Sequence, residues 1–334
     1  MGYTVVCLGG DGIGPEVMRE AIRALRALPL ELELDEHPFG GPGIRECGEP
    51  LPSETLAACL ASDAVLLAAV GSPEYERTAV RPEQGLMKIR KELGVYANLR
   101  PVRAEGVDVM IVRELSGGLY YGRKGRLKDG MAFDICEYHP WQIERIARRA
   151  FELARVRRKD LTLVDKHGVL ETSTLWREVV DEVASTYSDV RVETMLVDNA
   201  AMQLVRDPGR FDVLLTENTF GDILSDVAAV ATGGVGLAPS ASLSESGPGI
   251  FEPIHGSAPD IAGRGIANPA ATMRSAVLML EHGLGRTDEA RLLDEAVDVA
   301  LRSTPTPDLG GTATTAEFGD TVVEALAVHA GAGS

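Results

Sequence analysis

An α/β fold is predicted by three observations. Short apolar runs rich in Val, Ile and Leu alternate with longer stretches of helical period. The connections between them are short. Charged residues recur directly after the apolar runs, where open α/β sheets bind ligands. In chain order, the runs over 4–8, 64–68, 108–112, 161–164, 190–197 and 211–215 read as strands. Helices are expected over 15–28, 53–60, 141–155, 174–186, 200–206, 222–231, 269–282 and 289–302. In the helix at 222–231, Ile223, Leu224, Val227 and Val230 share a face. The Gly/Pro/Ser-rich stretch 233–249 reads as a long functional loop or an inter-domain crossing, and the tail 330–334 as disordered.

The 334 residues suit one large or two medium α/β domains. No apolar run reaches the ~18 residues of a membrane span. The first residues lack the basic start and cleavage site of a signal peptide. Val6 stands where a myristoylation signal needs Ser or Thr. A net charge of −17 argues against nucleic acid and against anionic membranes. The cysteines, Cys7, Cys47, Cys59 and Cys136, form no C-x-x-C pair. That pattern fits packed thiols in a reducing cytoplasm and speaks against a zinc site.

The most informative string is Asn218-Thr-Phe-Gly-Asp222-Ile-Leu-Ser-Asp226. Carboxylates at i and i+4 point the same way from a helix, and their repulsion is relieved by a shared cation. Oxygen-only ligands favour Mg²⁺ or Mn²⁺. A lone D-x-x-x-D is more often a solvated face. Here Asp198 and three arginines stand in similar strand-end contexts. The strand-end pattern comprises Asp11, Arg113-Glu114, Asp165-Lys166, Asp198 and Glu217-Asn218. Arg90, Arg100 and Arg113 suit a di- or tricarboxylate, because guanidinium forks bind carboxylates in pairs. A lone arginine is more often a surface ion pair. Tyr120 and Lys166 are proton-transfer candidates if a cation and arginines lie beside them. The run Gly9 to Pro15 is a glycine-rich strand–helix turn but not the G-x-G-x-x-G fingerprint. The string Phe251 to Ile261, with Ala267-Asn-Pro269, offers backbone to wrap a nucleotide; Asp260 would accept from a ribose 2′-hydroxyl and repel a 2′-phosphate.

Six strings in order resemble the β-decarboxylating dehydrogenases, which include isocitrate, homoisocitrate, tartrate and 3-isopropylmalate dehydrogenases. They are Gly10-Asp-Gly-Ile-Gly-Pro-Glu16, Asn98-Leu-Arg-Pro101, Val112-Arg-Glu114, Asp165-Lys166, Phe220-Gly-Asp-Ile-Leu-Ser-Asp226 and His255-Gly-Ser-Ala-Pro-Asp260. The resemblance runs from Val5 to about Leu326. It implies the two-domain α/β fold of isocitrate/isopropylmalate dehydrogenases, with a cleft between the domains. A discontinuous cofactor-binding domain over 1–95 and 233–334 and a substrate and dimerisation domain over 96–232 are expected.

The resemblance also implies roles. Tyr120 and Lys166 would be catalytic. Arg90, Arg100, Arg113, Leu86, Met87, Val169, Asp198 and Asp222 would bind substrate. Ile13, Glu83, His255, Gly256, Ser257, Ala258, Asp260, Ile261 and Asn268 would bind NAD. Asp198, Asp222 and Asp226 would hold Mg²⁺ or Mn²⁺. The expected assembly is a homodimer with shared active sites, in which Lys166 and Asp198 serve the neighbour. Pro82-Glu-Gln-Gly-Leu-Met87 and Arg113-Glu-Leu-Ser-Gly-Gly-Leu-Tyr120 look like the isopropylmalate type. The implied reaction is oxidative decarboxylation of 3-isopropylmalate to 2-oxo-4-methylpentanoate and CO₂, with reduction of NAD, in the leucine pathway. Two residues depart from the pattern: Gly168 replaces an Asn, and Met87 a Leu; the segment between Arg100 and Val107 is also short. The alternatives are a sister enzyme for homoisocitrate or another 3-substituted malate, and a non-catalytic regulatory subunit. Retention of Tyr120, Lys166 and the three aspartates argues against the subunit.

Overall fold

The computed structural model describes residues 2–230 and 233–332, with side chains to residue 328. The chain forms two compact units, residues 1–95 with 233–334 and residues 96–232. In chain order, the first unit opens with β1 (Tyr3–Gly10), α1 (Gly14–Arg26), β2 (Leu32–Glu36), α2 (Gly41–Cys47), α3 (Ser53–Ala61), β3 (Ala64–Ala69) and α4 (Pro82–Glu92). The second unit holds β4 (Ala97–Ala104), β5 (Val107–Glu114), β6 (Lys124–Arg126), β7 (Ala132–Asp134), α5 (Pro140–Arg155) and β8 (Asp160–Asp165). It continues with α6 (Glu171–Ala184), β9 (Arg191–Leu196), α7 (Val197–Arg206), β10 (Val213–Thr216) and α8 (Asn218–Ala229). The chain then returns to the first unit with β11 (Pro239–Leu243), β12 (Gly249–Pro253), α9 (Ala270–Leu278), α10 (Thr287–Ser303) and α11 (Thr315–Ala332).

Each unit has a run of five neighbouring strands with one antiparallel pair, and in the second unit β6 and β7 form a separate two-stranded antiparallel sheet. In the first, the order is β2-β1-β3-β12-β11; all neighbours are parallel except β11 and β12. In the second, the order is β4-β5-β10-β8-β9, and only β4 and β5 are antiparallel. Parallel strands covered on both faces are apolar throughout, as in β3, whose six residues Ala-Val-Leu-Leu-Ala-Ala are all buried. α1 lays Val17, Met18, Ala21, Ile22 and Leu25 inward, the i, i+4 pattern of a core-facing helix. The core of the second unit is built by Val109 and Ile111 of β5, Val164 of β8, Leu204 of α7, Phe211, Leu214 of β10 and Leu224 of α8. Each such side chain gains about 1.5–3 kcal/mol from burial.

Several expected boundaries shift. α8 begins at Asn218, so Asp222 lies one turn inside the helix, not at its start. The expected end at Ala231 lies outside the described residues. α7 begins at Val197, so the run 190–197 yields to the helix at its last residue. Arg113 and Glu114 lie within β5, not after it. The stretch 233–249 is not one long loop: it contains β11 and the first residue of β12. β4 went unpredicted because Arg100, Pro101 and Arg103 interrupt its apolar pattern, and proline demotes a strand. α11 continues to Ala332, so 330–332 are helical; 333 and 334 lie outside the described residues.

Candidate active site

The polar centre of the second unit starts from strand pairing. Asn98 of β4 is directly opposite Arg113 of β5, and Arg100 opposite Ile111. Directly opposite residues share a face and side chains alternate along a strand, so Asn98, Arg100 and Arg113 project together. Arg100 is 6% exposed and Arg113 2%. Buried guanidiniums need partners, and α8 supplies them. Arg113 donates from Nη1 to Asp222 Oδ1 at 2.6 Å, and from Nε and Nη2 to Asn218 Oδ1 at 3.0 and 2.7 Å. Arg100 donates to Ser225 Oγ at 2.5 Å and Asn98 Oδ1 at 2.8 Å. It reaches Asp222 Oδ1 at 3.3 Å and Asp226 Oδ1 at 3.7 Å. Such close approach requires Gly221: a Cβ there would sit 2.3 Å from Thr216 Oγ1 and 2.7 Å from Arg113 Cγ.

Tyr120 donates its hydroxyl to Asp222 Oδ2 at 2.9 Å. Burial first, then the Asp222 charge, raises the phenol pKa against the opposing Arg113. The phenol is therefore protonated at neutral pH and suited to donate. Burial also raises Asp226, with Arg100 opposing and Asp222 reinforcing. Glu217 caps α8 by accepting from Phe220 N at 2.5 Å. Fully buried Glu114 accepts from Ser116 N at 3.0 Å and Gly117 N at 2.8 Å, and so shapes the turn leading to Tyr120.

A second polar group gathers where β8 ends. Asp165 accepts both arms of Arg177, at 2.6 and 3.1 Å, and the amide of His167 at 3.1 Å. Lys166 N donates to Ser173 Oγ at 3.0 Å. The Lys166 ammonium meets Asp198 Oδ1 at 2.5 Å, and that hydrogen bond holds the Asp198 pKa below its usual range. Gly168 has φ +85°, a region Asn also tolerates, so the departure there costs a side chain but not the backbone path. Val169 is exposed. Asp198 does not join Asp222 and Asp226: among the described residues no three His, Cys, Asp or Glu side chains converge. One copy offers two carboxylates on adjacent turns of α8, an oxygen-only donor set that fits Mg²⁺ or Mn²⁺ but leaves the third donor to come from elsewhere.

In the first unit, the turn after β1 is bound to the 255–258 loop. Ile13 N donates to Ser257 O at 2.9 Å. Gly12 has φ +57°, and a Cβ there would lie 2.0 Å from that same oxygen. Buried Asp11 accepts from Gly41 N at 2.9 Å and Gly71 N at 3.0 Å, tying three loops. His255 Nδ1 contacts Gly256 O at 2.9 Å, while its buried Nε2 has no hydrogen-bond partner. Burial lowers the imidazole pKa, which keeps the ring neutral. Gly256 and Asp260 are exposed; Ala258 and Ile261 are half-buried; Ser257 and Ile13 are buried. A neutral ring with an orphan nitrogen beside open backbone and an exposed carboxylate fits a nucleotide. Asn268 is committed to Asp308 at 3.1 Å and to the amide of Ala270 at 2.9 Å. On α4, Glu83 is exposed, Leu86 and Met87 are half-buried, and Arg90 pairs with Glu252 at 2.6 Å. Sequence reasoning assigned nothing to Asn218, Glu114, Arg177 or Glu252. The first two stood in the strand-end pattern; no local signal marked the others.

Comparison with known proteins extends these observations. The family model described as isocitrate/isopropylmalate dehydrogenase matches residues 4–322. A 3-isopropylmalate dehydrogenase of Bacillus cereus is 50% identical over 340 aligned positions, covering 96% of each chain. Among solved structures, isocitrate dehydrogenase from Methylococcus capsulatus superposes with TM-score 0.90 at 36% identity, covering 97% of this chain and 99% of that one. A β-decarboxylating dehydrogenase from Thermococcus kodakarensis gives TM-score 0.86 at 39% identity, covering 98% and 96%. This chain belongs to the isocitrate/isopropylmalate dehydrogenase family and is a β-decarboxylating dehydrogenase.

Proposed function

We propose that this enzyme oxidises and decarboxylates 3-isopropylmalate to 2-oxo-4-methylpentanoate in leucine biosynthesis, using NAD and Mg²⁺ or Mn²⁺. One observation carries the reading: relatives half identical over nearly the whole chain are named for that substrate. The arginine–carboxylate–phenol cluster supplies chemistry to match.

When bound, NAD would supply the acceptor for the C2 hydride, and a divalent cation would supply Lewis-acid polarisation of the substrate oxygens. The residues do the rest. Arg100 and Arg113, already charged and oriented, hold substrate carboxylates, and Arg90 is assigned the same task. Asp222 and Asp226, with Asp198 of a second copy, are the cation's ligands. Lys166, also from the second copy, accepts the hydroxyl proton. Tyr120, kept protonated by burial, delivers a proton to C3 after CO₂ has left. Leu86, Met87 and Val169 of the second copy meet the isopropyl group. His255, Gly256, Ser257, Ala258, Ile261 and Ile13 line the nucleotide, with Glu83, Asn268 and Asp260. A homodimer is supported by exposed apolar side chains on α7, on α8 and just after α8: Met202, Val205, Ile223 and Val230. No described helix is long and apolar enough to cross a membrane. The four free cysteines suit the cytoplasm.

The test is NADH formation from 3-isopropylmalate, isocitrate, homoisocitrate and D-malate under one condition. Burying the isopropyl carbons gains ~0.8 kcal/mol each. A carboxylate in the same place loses hydration. So 3-isopropylmalate should lead isocitrate in kcat/KM by roughly 100-fold. A lead for isocitrate or homoisocitrate would sink the apolar assignment of Leu86 and Met87. The same assay with NADP should be poorer, because Asp260 repels a 2′-phosphate; parity would show that Asp260 does not meet the ribose.

A further inference from the structure

Asn218 is completely buried at the first position of α8, and both halves of its amide are in use. Its Oδ1 accepts two hydrogen bonds from Arg113, at 3.0 and 2.7 Å. Its Nδ2 donates to Leu115 O at 3.2 Å and Gly117 O at 2.8 Å. Its own backbone N–H donates to the Tyr138 hydroxyl at 3.0 Å. One side chain thus touches the strand that carries Arg113, the turn that carries Tyr120 and the helix that carries Asp222. Among side chains short enough for the space, only an amide presents an acceptor and two donors in one plane. A carboxylate would keep the acceptors for Arg113 and set oxygen against the carbonyls of Leu115 and Gly117.

We propose that Asn218 is a positioning residue that sets Arg113 and the Tyr120 turn in register with Asp222, so that substrate anchoring and proton delivery depend on one amide. The inference rests on the roles proposed above for Arg113 and Tyr120. Asn218 is fully buried and acts through its two neighbours. Its acceptor half serves carboxylate binding through Arg113, and its donor half serves the placement of the Tyr120 hydroxyl. The two halves have different partners, so Asn218→Asp removes the donors alone and Asn218→Ala removes donors and acceptor together.

The experiment compares Asn218→Asp and Asn218→Ala with the wild-type enzyme. It reads KM and kcat for 3-isopropylmalate, thermal midpoint, and amide hydrogen exchange across residues 115–121. Asn218→Asp should keep KM within about 2-fold while kcat falls about 10- to 100-fold, the mark of an interaction needed after binding. Asn218→Ala should raise KM about 10-fold as well, since the Arg113 anchor is lost too. Exchange across 115–121 should quicken about 10-fold in both variants, with the rest of the chain unchanged. Wild-type kcat and KM per folded molecule in both variants, with only the thermal midpoint lowered, would overturn the proposal. So would unchanged exchange in the 115–121 segment. The exchange arm needs no substrate. If the wild type fails to turn over 3-isopropylmalate, the functional reading falls, and exchange still decides whether Asn218 holds the turn.

Discussion

Asp222 and Asp198 are both helix-borne carboxylates of the second unit, each beside a cation, yet they are held differently. Asp222 receives Arg113, Arg100 and Tyr120 at once, and both arginines are buried. Those arginines are in turn fixed by Asn98, Asn218 and Ser225. Asp198 meets Lys166 in a pair whose side chains are 61% and 32% exposed. The first cluster is over-determined, with Asp222, Arg100 and Arg113 each answered by several groups and both guanidiniums buried. The second is a solvated ion pair that another surface can rearrange cheaply. The difference teaches where preorganisation lies: the groups assigned to hold and reprotonate substrate are fixed within one copy. The proposed proton acceptor and third cation ligand are presented at an open surface.

The largest test of that contrast is complementation. Lys166→Met and Tyr120→Phe should each cost about 100- to 10,000-fold in turnover. If the clusters work across two copies, mixing the two variants under subunit exchange should restore about a quarter of wild-type activity, from the one intact site in each mixed dimer. Mixtures as inactive as their parents would mean that both clusters serve the same chain. Next in size is Asp222→Asn, which keeps shape and removes charge; turnover should fall by about 100-fold or more. Chelation with EDTA should abolish wild-type turnover, and full activity in EDTA would refute the cation assignment.

Stability should separate the clusters further. Arg113→Lys cannot reproduce the three-armed contact, so buried acceptors on Asn218 and Asp222 lose donors at about 1–3 kcal/mol. A thermal melt should register that loss clearly. Asp198→Asn should leave the melt near wild type, and a large drop would contradict the solvated-pair description. The smallest effect is expected from Glu114→Gln. Burial raises the Glu114 pKa, against the pull of Ser116, Gly117 and Arg145. A carboxyl raised in the fold contributes stability at low pH and loses it as pH climbs through the folded value. The Glu114 contribution to the wild-type melting temperature should thus decline from the ordinary carboxylate range upward, and the difference between wild type and Glu114→Gln should change with pH in that direction. An unchanged pH slope would mean that Glu114 is not the group titrating.

Legibility followed local pattern. The parallel strands β1, β3 and β10 announce themselves as apolar runs, and β8 as an apolar run broken only by Thr162. β4 did not, because two of its residues are arginines and one is proline, and its place is set by eight-residue pairing with β5. α4 was missed although its proline start was visible; Gly85 and a weakly apolar face hid it. Among the site residues, the Asp222–Asp226 spacing was readable as one helical face, and the charges after strands marked Lys166, Asp198 and Glu217. The partnership of Arg100 with Arg113 was not readable, since thirteen positions and an antiparallel turn separate them.

By itself, then, the sequence determined the element alternation, the order of the motifs and the chemical types at hand: arginine forks, oxygen ligands, a phenol and an amine. These follow from side-chain period and composition, which act over a few residues. Tertiary structure alone decided which charges meet. Antiparallel pairing brought Asn98, Arg100 and Arg113 to one face. The absence of a side chain at Gly221 let α8 approach Arg113. Asn218 joined that arginine to the Tyr120 turn, and Asp198 was left with Lys166 instead of Asp222. Such contacts span about a hundred residues of chain, where no local propensity reaches and where burial forces each charge to find a partner.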